Sequence, residues 1–186
     1  MSQAFSLPAR LRRLRRSTKI VYTAGVAILV AIVVVTFATG ALGKRASLPL
    51  AKPFTLSQLG SAGGEVSLAS YAGRAVIVNF FASWCGPCKR ETPLIAKFYA
   101  ASKGKVAIIG IDANDEAGPA LKFMKAAGVS YPVGADPYPS STTTSYGVFA
   151  LPQTFFLNAQ HRIVKHIEGG VTERELTAGV SLMDRG

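Results

Sequence analysis

Cysteine is nearly absent, with two residues in a chain of 186. So sparse a supply builds no disulfide framework, and the single pair, Cys85 and Cys88, has to serve chemistry or metal binding rather than stapling. Acidic residues are missing from the first 45 positions, and charge of either sign is missing from Ile20 to Leu42. Internal repeats are missing as well, which leaves one globular domain of ordinary size as the expected organisation. The formal net charge of +11 belongs mostly to one end. Arg10, Arg12, Arg13, Arg15, Arg16 and Lys19 precede the uncharged run, and Lys44 and Arg45 follow it. Beyond Arg45, 13 Lys and Arg stand against all ten acids, so no phosphate-tracking stripe exists and nucleic acid is not an expected partner.

Ile20 to Leu42 is rich in Val, Ile and Ala, and a helix of 23 residues at ~1.5 Å of rise per residue crosses about 30 Å of hydrocarbon. The basic excess on its amino-terminal side places that end in the cytoplasm and the remainder outside. The expected organisation is a basic cytoplasmic arm over 1–19, a single-pass anchor over 20–42, a linker over 43–52 and a folded domain over 53–186. A cleaved signal is the alternative, with Ala38-Thr39-Gly40 as an acceptable site, although the apolar run exceeds the ~7–15 residues of a usual signal core. Either way the domain is expected on the extracytoplasmic side of the cell membrane.

Beyond the linker, Phe54 to Leu56 and Glu65 to Leu68 flank a Gly-rich turn and predict a hairpin. Ala75 to Phe81 is almost continuously apolar and β-branched, the pattern of a central strand with helices on both faces. Pro87 to Lys103 predicts a helix with Leu94, Ile95, Phe98 and Tyr99 inward, Lys89, Arg90, Glu91 and Lys97 elsewhere, and Pro93 inside it. Lys105 to Asp112 predicts a strand, Glu116 to Ala127 a helix ended by Gly128, and Pro132 to Gly134 a short strand. A Ser/Thr/Pro-rich loop over Asp136 to Ser145 follows, then strands over Gln153 to Leu157 and Arg162 to Glu168. A last helix is capped by Thr172 and Glu175. Strands that first alternate with helices and then pair directly define an α/β sandwich around a mixed sheet.

Cys85-Gly86-Pro87-Cys88 falls where a buried strand ends and a helix begins. Cysteines three apart at a helix start lie within the ~4.4–6.8 Å Cα separation of a disulfide, so the pair can open and close with little backbone movement. Pro87 suits an early helical position. Unpaired amides at that helix end favour a thiolate at Cys85 and lower its pKa towards ~7, which makes Cys85 the attacking nucleophile and the more buried Cys88 the resolver.

Phe80-Phe81-Ala82-Ser83-Trp84-Cys85-Gly86-Pro87-Cys88 resembles the active-site segment of the thioredoxin superfamily, and Leu151-Pro152-Gln153-Thr154 resembles its cis-proline loop. Asn79 stands where cytosolic thioredoxins carry a buried Asp, as in the membrane-tethered relatives of the TlpA/ResA type. The resemblance implies a thioredoxin-like fold: a central mixed sheet flanked by helices, an amino-terminal hairpin and an inserted helix before the cis-proline loop. It implies thiol-disulfide oxidoreductase activity without cofactor or metal, with Trp84, Leu151 and Pro152 meeting substrate and Gly86, Pro87 and Asn79 supporting the motif. Exported disulfide-bearing clients and a membrane electron donor are the implied partners, with c-type apocytochromes as the client class. The departure at Asn79 leaves no buried carboxylate to be assumed beside the motif. Asp115, at the start of the inserted helix, is then the candidate proton acceptor, with Asp112 and Glu116 in reserve.

Three other readings stand beside this one. Oxidase direction uses the same fold. A copper chaperone would carry wider cysteine spacing and a helpful histidine, which the chain lacks. Zinc on the two cysteines with His161 and His166 is disfavoured, because residues at odd separation along a strand face opposite sides.

Overall fold

The computed structural model describes residues 24–35 and 48–185, which fall into two separate units. Residues 24–35 form a helix. The rest of the expected 20–42 anchor, the basic arm and the start of the linker lie outside the described residues. Among the described residues no helix is long and apolar enough to cross a membrane.

From Leu48 onward, a two-stranded antiparallel hairpin of β1 (Thr55–Ser57) and β2 (Glu65–Ser67) leads into a short 3₁₀ turn at Leu68–Tyr71. The main sheet has five strands in the order β5-β4-β3-β6-β7: β3 (Val76–Phe81), β4 (Ala107–Ala113), β5 (Val133–Asp136), β6 (Gln153–Leu157) and β7 (Ile163–Glu168). β3, β4 and β5 run parallel, whereas β6 is antiparallel to both β3 and β7. Crossover helices α1 (Gly86–Ser102) and α2 (Ala117–Ala127) join the parallel strands, and α4 (Glu173–Met183) closes the chain. Every residue of β3 is buried, as its unbroken apolar and β-branched run requires of a strand in mid-sheet.

The two sheet faces are covered differently. Ile77 and Phe81 of β3, Ile108 of β4 and Phe156 of β6 meet both cysteines, Ile95 and Leu176 beneath α1, α2 and α4. Val76, Val78 and Phe80 meet instead Phe54, Val66, Leu68 and Val148 from the hairpin and the later loops. Helices therefore flank the sheet as expected, long on one face and short on the other. On the second face the cover comes from the hairpin, the 3₁₀ turn and the residues that follow a five-residue helix.

That short helix, α3 (Ser141–Ser145), stands inside the stretch expected to be loop. Its sequence, Ser-Thr-Thr-Thr-Ser, has little helical propensity. The Asp136 carboxylate builds it by accepting hydrogen bonds from Thr142 N, Thr143 N and Thr143 Oγ1. Tyr146, at its end, packs against Phe80 and Phe155.

Two glycines set distances that position the site. A Cβ on Gly110 of β4 would meet Phe81, Val133 and Tyr131, so the sheet there accepts nothing larger. A Cβ on Gly179 of α4 would overlap the Phe156 ring, and its absence lets α4 lie close on β6. The capping box of α4 is complete, with Thr172 Oγ1 accepting from Glu175 N and the Glu175 carboxylate accepting from Thr172 N.

Candidate functional site

Cys85 and Cys88 form a disulfide with a Cα separation of 5.3 Å. Cys85 is the N-cap of α1 rather than part of its first turn, and its sulfur accepts a hydrogen bond from Cys88 N at 3.2 Å. Gly86 and Pro87 open the helix, where the missing proline donor costs nothing. Cys88 is fully buried, whereas Cys85 keeps 5% of its surface exposed, so the outer sulfur is the one a partner can approach.

The inward face of α1 consists of Cys88, Glu91, Thr92, Ile95 and Ala96, with Leu94 and Phe98 at its border. Glu91, expected on the outer side with Lys89 and Arg90, is instead 3% exposed. Its carboxylate accepts from Asn79 Nδ2 at 2.9 Å and from Val171 N at 2.8 Å. Asn79 donates also to Thr154 Oγ1, tying β3, β6 and α1 together. A buried carboxylate, which the departure at Asn79 did not allow to be assumed, thus lies on the face of the helix that carries Cys88. Burial raises its pKa above the ordinary glutamate value, against the lowering effect of the hydrogen bonds from Asn79 and Val171.

Asp115 lies elsewhere. Its carboxylate accepts from Ser83 N, from Ser83 Oγ at 3.0 Å and from Glu116 N at 2.8 Å, so it anchors the segment just before Cys85. Asp112 is buried at the end of β4, and among the described residues its Oδ1 has no hydrogen-bond partner. Burial, and then the charge of Asp115, push its pKa up to about 8. Glu116 is the N-cap of α2 and makes no side-chain capping bond.

Trp84 is 59% exposed, and its indole N–H donates to Asn114 O at 3.0 Å. Register brings the Leu151-Pro152 segment to the same end of the sheet: Phe80 pairs with Gln153, and the Leu151–Pro152 peptide just before it is cis. Leu151 packs against the cluster that contains both cysteines. A second cis peptide, Tyr138–Pro139, lies in the loop before α3. It went unread in the sequence because an X-Pro pair alone does not specify its isomer. The two histidines are engaged far from the sulfurs in sequence and role. His161 Nε2 lies 3.0 Å from Tyr71 O, and His166 stacks on Phe155 with Nε2 2.9 Å from Gln153 Oε1. Among the described residues no three His, Cys, Asp or Glu side chains gather into a metal-binding group.

A redox-closable pair at the start of a helix leaving the central strand of a mixed sheet, beside a cis-proline loop, defines a thioredoxin-fold thiol-disulfide oxidoreductase. The chain belongs to the Redoxin family, whose model matches residues 45–180. It is similar to the thiol-disulfide oxidoreductase ResA of Bacillus subtilis, 32% identical over 125 residues, which is 67% of this chain and 69% of that protein. ResA of Halalkalibacterium halodurans is 34% identical over 113 residues, 60% of this chain and 64% of its own length. The chain thus spans about two thirds of the length of these curated relatives. Among solved structures, a thioredoxin-family thiol:disulfide interchange protein from Chlorobium tepidum superposes with a TM-score of 0.66 at 26% identity, covering 75% of this chain and 98% of the other. The chain is accordingly a thioredoxin-like enzyme of the TlpA/ResA type, with disulfide-bearing proteins as its class of substrate.

Proposed function

We propose that this enzyme is a membrane-tethered, extracytoplasmic disulfide reductase for particular exported proteins, c-type apocytochromes among them. The observation that carries the exchange chemistry is the Cys85–Cys88 disulfide at the start of α1, with the buried Glu91 carboxylate on the Cys88 face; the Gly86-Pro87 pair between the cysteines, which resembles that of the reducing thioredoxins, supports the direction. In the reduced enzyme the Cys85 thiolate, favoured by the amides of the helix start, attacks one sulfur of a client disulfide. The client's other sulfur leaves as a thiolate, and a mixed disulfide joins Cys85 to the client. Cys88 then gives its proton to Glu91 and its thiolate attacks Cys85 Sγ. The second client thiolate is released and the Cys85–Cys88 disulfide of the structure remains. Two electrons have passed to the client, and a membrane dithiol donor restores the pair. The relatives named ResA support thiol-disulfide exchange, and the apolar 20–42 stretch with its basic leader supports the tether.

Redox titration of the enzyme against glutathione and dithiothreitol buffers tests the direction. A potential near the thioredoxin value, ~−270 mV, is the expected outcome. A potential near the strongly oxidising ~−120 mV would assign the opposite direction. A reporter fused after Gly186 should be active only outside the cytoplasm, and cytoplasmic activity would remove the proposed topology.

A further inference from the structure

Asp112, next to last in β4, lies on the sheet face that carries both cysteines: Ile108 packs in their cluster, and alternation along the strand puts Asp112 on the same side. It is buried, and its carboxyl group comes within hydrogen-bonding range of Asp115, three residues further along. Two carboxyl groups so placed do not both ionise readily, so they hold one proton between them. The surrounding donors decide which of the two keeps it. Asp115 accepts from Ser83 N, Ser83 Oγ and Glu116 N, three bonds that stabilise a negative charge. Asp112 Oδ1 has no donor among the described residues. The proton therefore sits on Asp112, whose O–H donates to the Asp115 carboxylate.

The charged groups of the surrounding elements are turned elsewhere. Asp136 of β5 accepts from Thr142 and Thr143, and Glu91 of α1 accepts from Asn79 and Val171. Lys89 and Arg90 of α1, Glu116, and Lys122 and Lys125 of α2 are exposed. Asp112 itself is fixed, since β4 pairs on both sides and sets it against Phe81 and Ala135. If both carboxyl groups were charged, Asp115, on the loop after the strand, is the one that would turn away, and its bonds to Ser83 would break. The same loop holds the next residue, with Trp84 donating to Asn114 O. Resting on the exchange reaction proposed above, in either direction, we propose that Asp112 is a positioning residue: its proton holds Asp115, Asp115 holds Ser83, and the Ser83–Trp84 segment so held sets Cys85 for attack. Loss of the proton unlocks that segment. Burial, and then the Asp115 charge, push the Asp112 pKa up to about 8, so the lock is closed at neutral pH and opens just above it.

Trp84 is the only tryptophan, and in the oxidised full-length chain both cysteines are tied in the disulfide and do not titrate. Its fluorescence from ~pH 6 to ~9.5, below the ordinary Tyr and Lys values, therefore reads the segment without the thiols. Wild type is expected to show a transition near pH 8. Asp112→Asn, whose amide N–H can donate to Asp115 at every pH, should abolish it and keep the low-pH signal throughout. Asp115→Asn removes the facing charge and should move the transition to lower pH; should Asp112→Asn not fold, this shift decides, and a transition left at its wild-type position overturns the assignment. Exchange of the reduced chain with oxidised glutathione, which needs no protein client, carries the reading to the sulfur. Below the transition wild type and Asp112→Asn should react alike, and above it the wild-type rate should fall behind. A wild-type chain without the fluorescence transition, a transition that survives Asp112→Asn, or equal exchange rates above it removes Asp112 from the positioning of Cys85. None of these outcomes touches the exchange reaction, which fails only if the reduced wild-type chain leaves oxidised glutathione unreacted at every pH.

Discussion

Asn79 Nδ2 donates a 2.9 Å hydrogen bond to the Glu91 carboxylate, joining the central strand to the helix that begins at the disulfide. The amide is uncharged, so Asn79 can hold an acid there without adding a second negative charge to a buried site. Both of the hydrogen bonds to Glu91 come from donors, Asn79 Nδ2 and Val171 N. The site is shaped for a carboxylate that accepts, and the helix rather than the strand supplies the acid.

Glu91→Gln should slow resolution of the mixed disulfide. Gln can accept from one of the two donors but turns its own N–H₂ towards the other, leaving a clash of donors that costs about 1–3 kcal/mol. More important for the reaction, it cannot take the Cys88 proton. Loss of such a base lowers a rate by about 10²-fold or more. The deficit should be largest near neutral pH and shrink as rising pH ionises the thiol without the help of a base. Rapid-quench measurement of mixed-disulfide decay across pH checks this, and parallel wild-type and variant profiles would remove Glu91 from the proton path.

How much of this was legible beforehand differs by residue. β3 and β6, the Gly128 helix stop and the Thr172–Glu175 box follow from local pattern, and the structure has them. The charge of Glu91 by itself points to the solvent side, which is why local sequence does not single it out. The spacing of Cys88, Glu91, Thr92 and Ile95 at i, i+3, i+4 and i+7 would have placed it on the buried face of α1. Helix α3 was missed for another reason: its cap is the carboxylate of Asp136, five residues before the helix begins. Asp115 was legible as a helix-start acid, but its bonds to Ser83, 32 residues earlier, belong to the tertiary fold and leave no trace in the local sequence.

Asp112 should make the fold less stable as pH rises. Folded, it keeps its proton up to about pH 8, while an unfolded aspartate releases it near 3.8. Between those values the native state binds more protons than the unfolded state, so stability falls with increasing pH across the window. Asp112→Asn removes this titration. Its unfolding free energy should gain on wild type by up to about 1 kcal/mol per pH unit from pH 5 to pH 8. Urea unfolding at a series of pH values measures the difference, and a constant offset between the two proteins would show that Asp112 does not titrate in that range.

Gly179→Ala should destabilise the domain despite improving helix propensity. Alanine gains about 1 kcal/mol over glycine in a helix interior. Its methyl, however, would overlap the ring of Phe156, a fully buried residue with no room to retreat. Overpacking of this kind costs about 1–3 kcal/mol, so the net change is a loss. A lower Tm for Gly179→Ala is expected, together with recovery in the double variant Gly179→Ala, Phe156→Leu relative to Phe156→Leu alone. A Tm at or above wild type in the single variant would mean that α4 stands further from the sheet.

The last prediction separates the work of the two sulfurs. Cys85 is the outer cysteine, seated at the N-cap, whereas Cys88 has no exposed surface and lies within bonding distance of Cys85 alone. The expected division of labour is attack on a client by Cys85 and release by Cys88. Cys88→Ser keeps the nucleophile but removes the group that frees the client, so covalent complexes should accumulate on non-reducing gels of cells that express it. Cys85→Ser should trap almost nothing, because a buried Cys88 cannot meet a client sulfur. Equal trapping by the two variants, or trapping by Cys85→Ser alone, would reverse the assignment. The trapped proteins also report on the client class. Apocytochromes among them would support the maturation role, and a broad set of secreted proteins without them would replace it with general handling of exported disulfides.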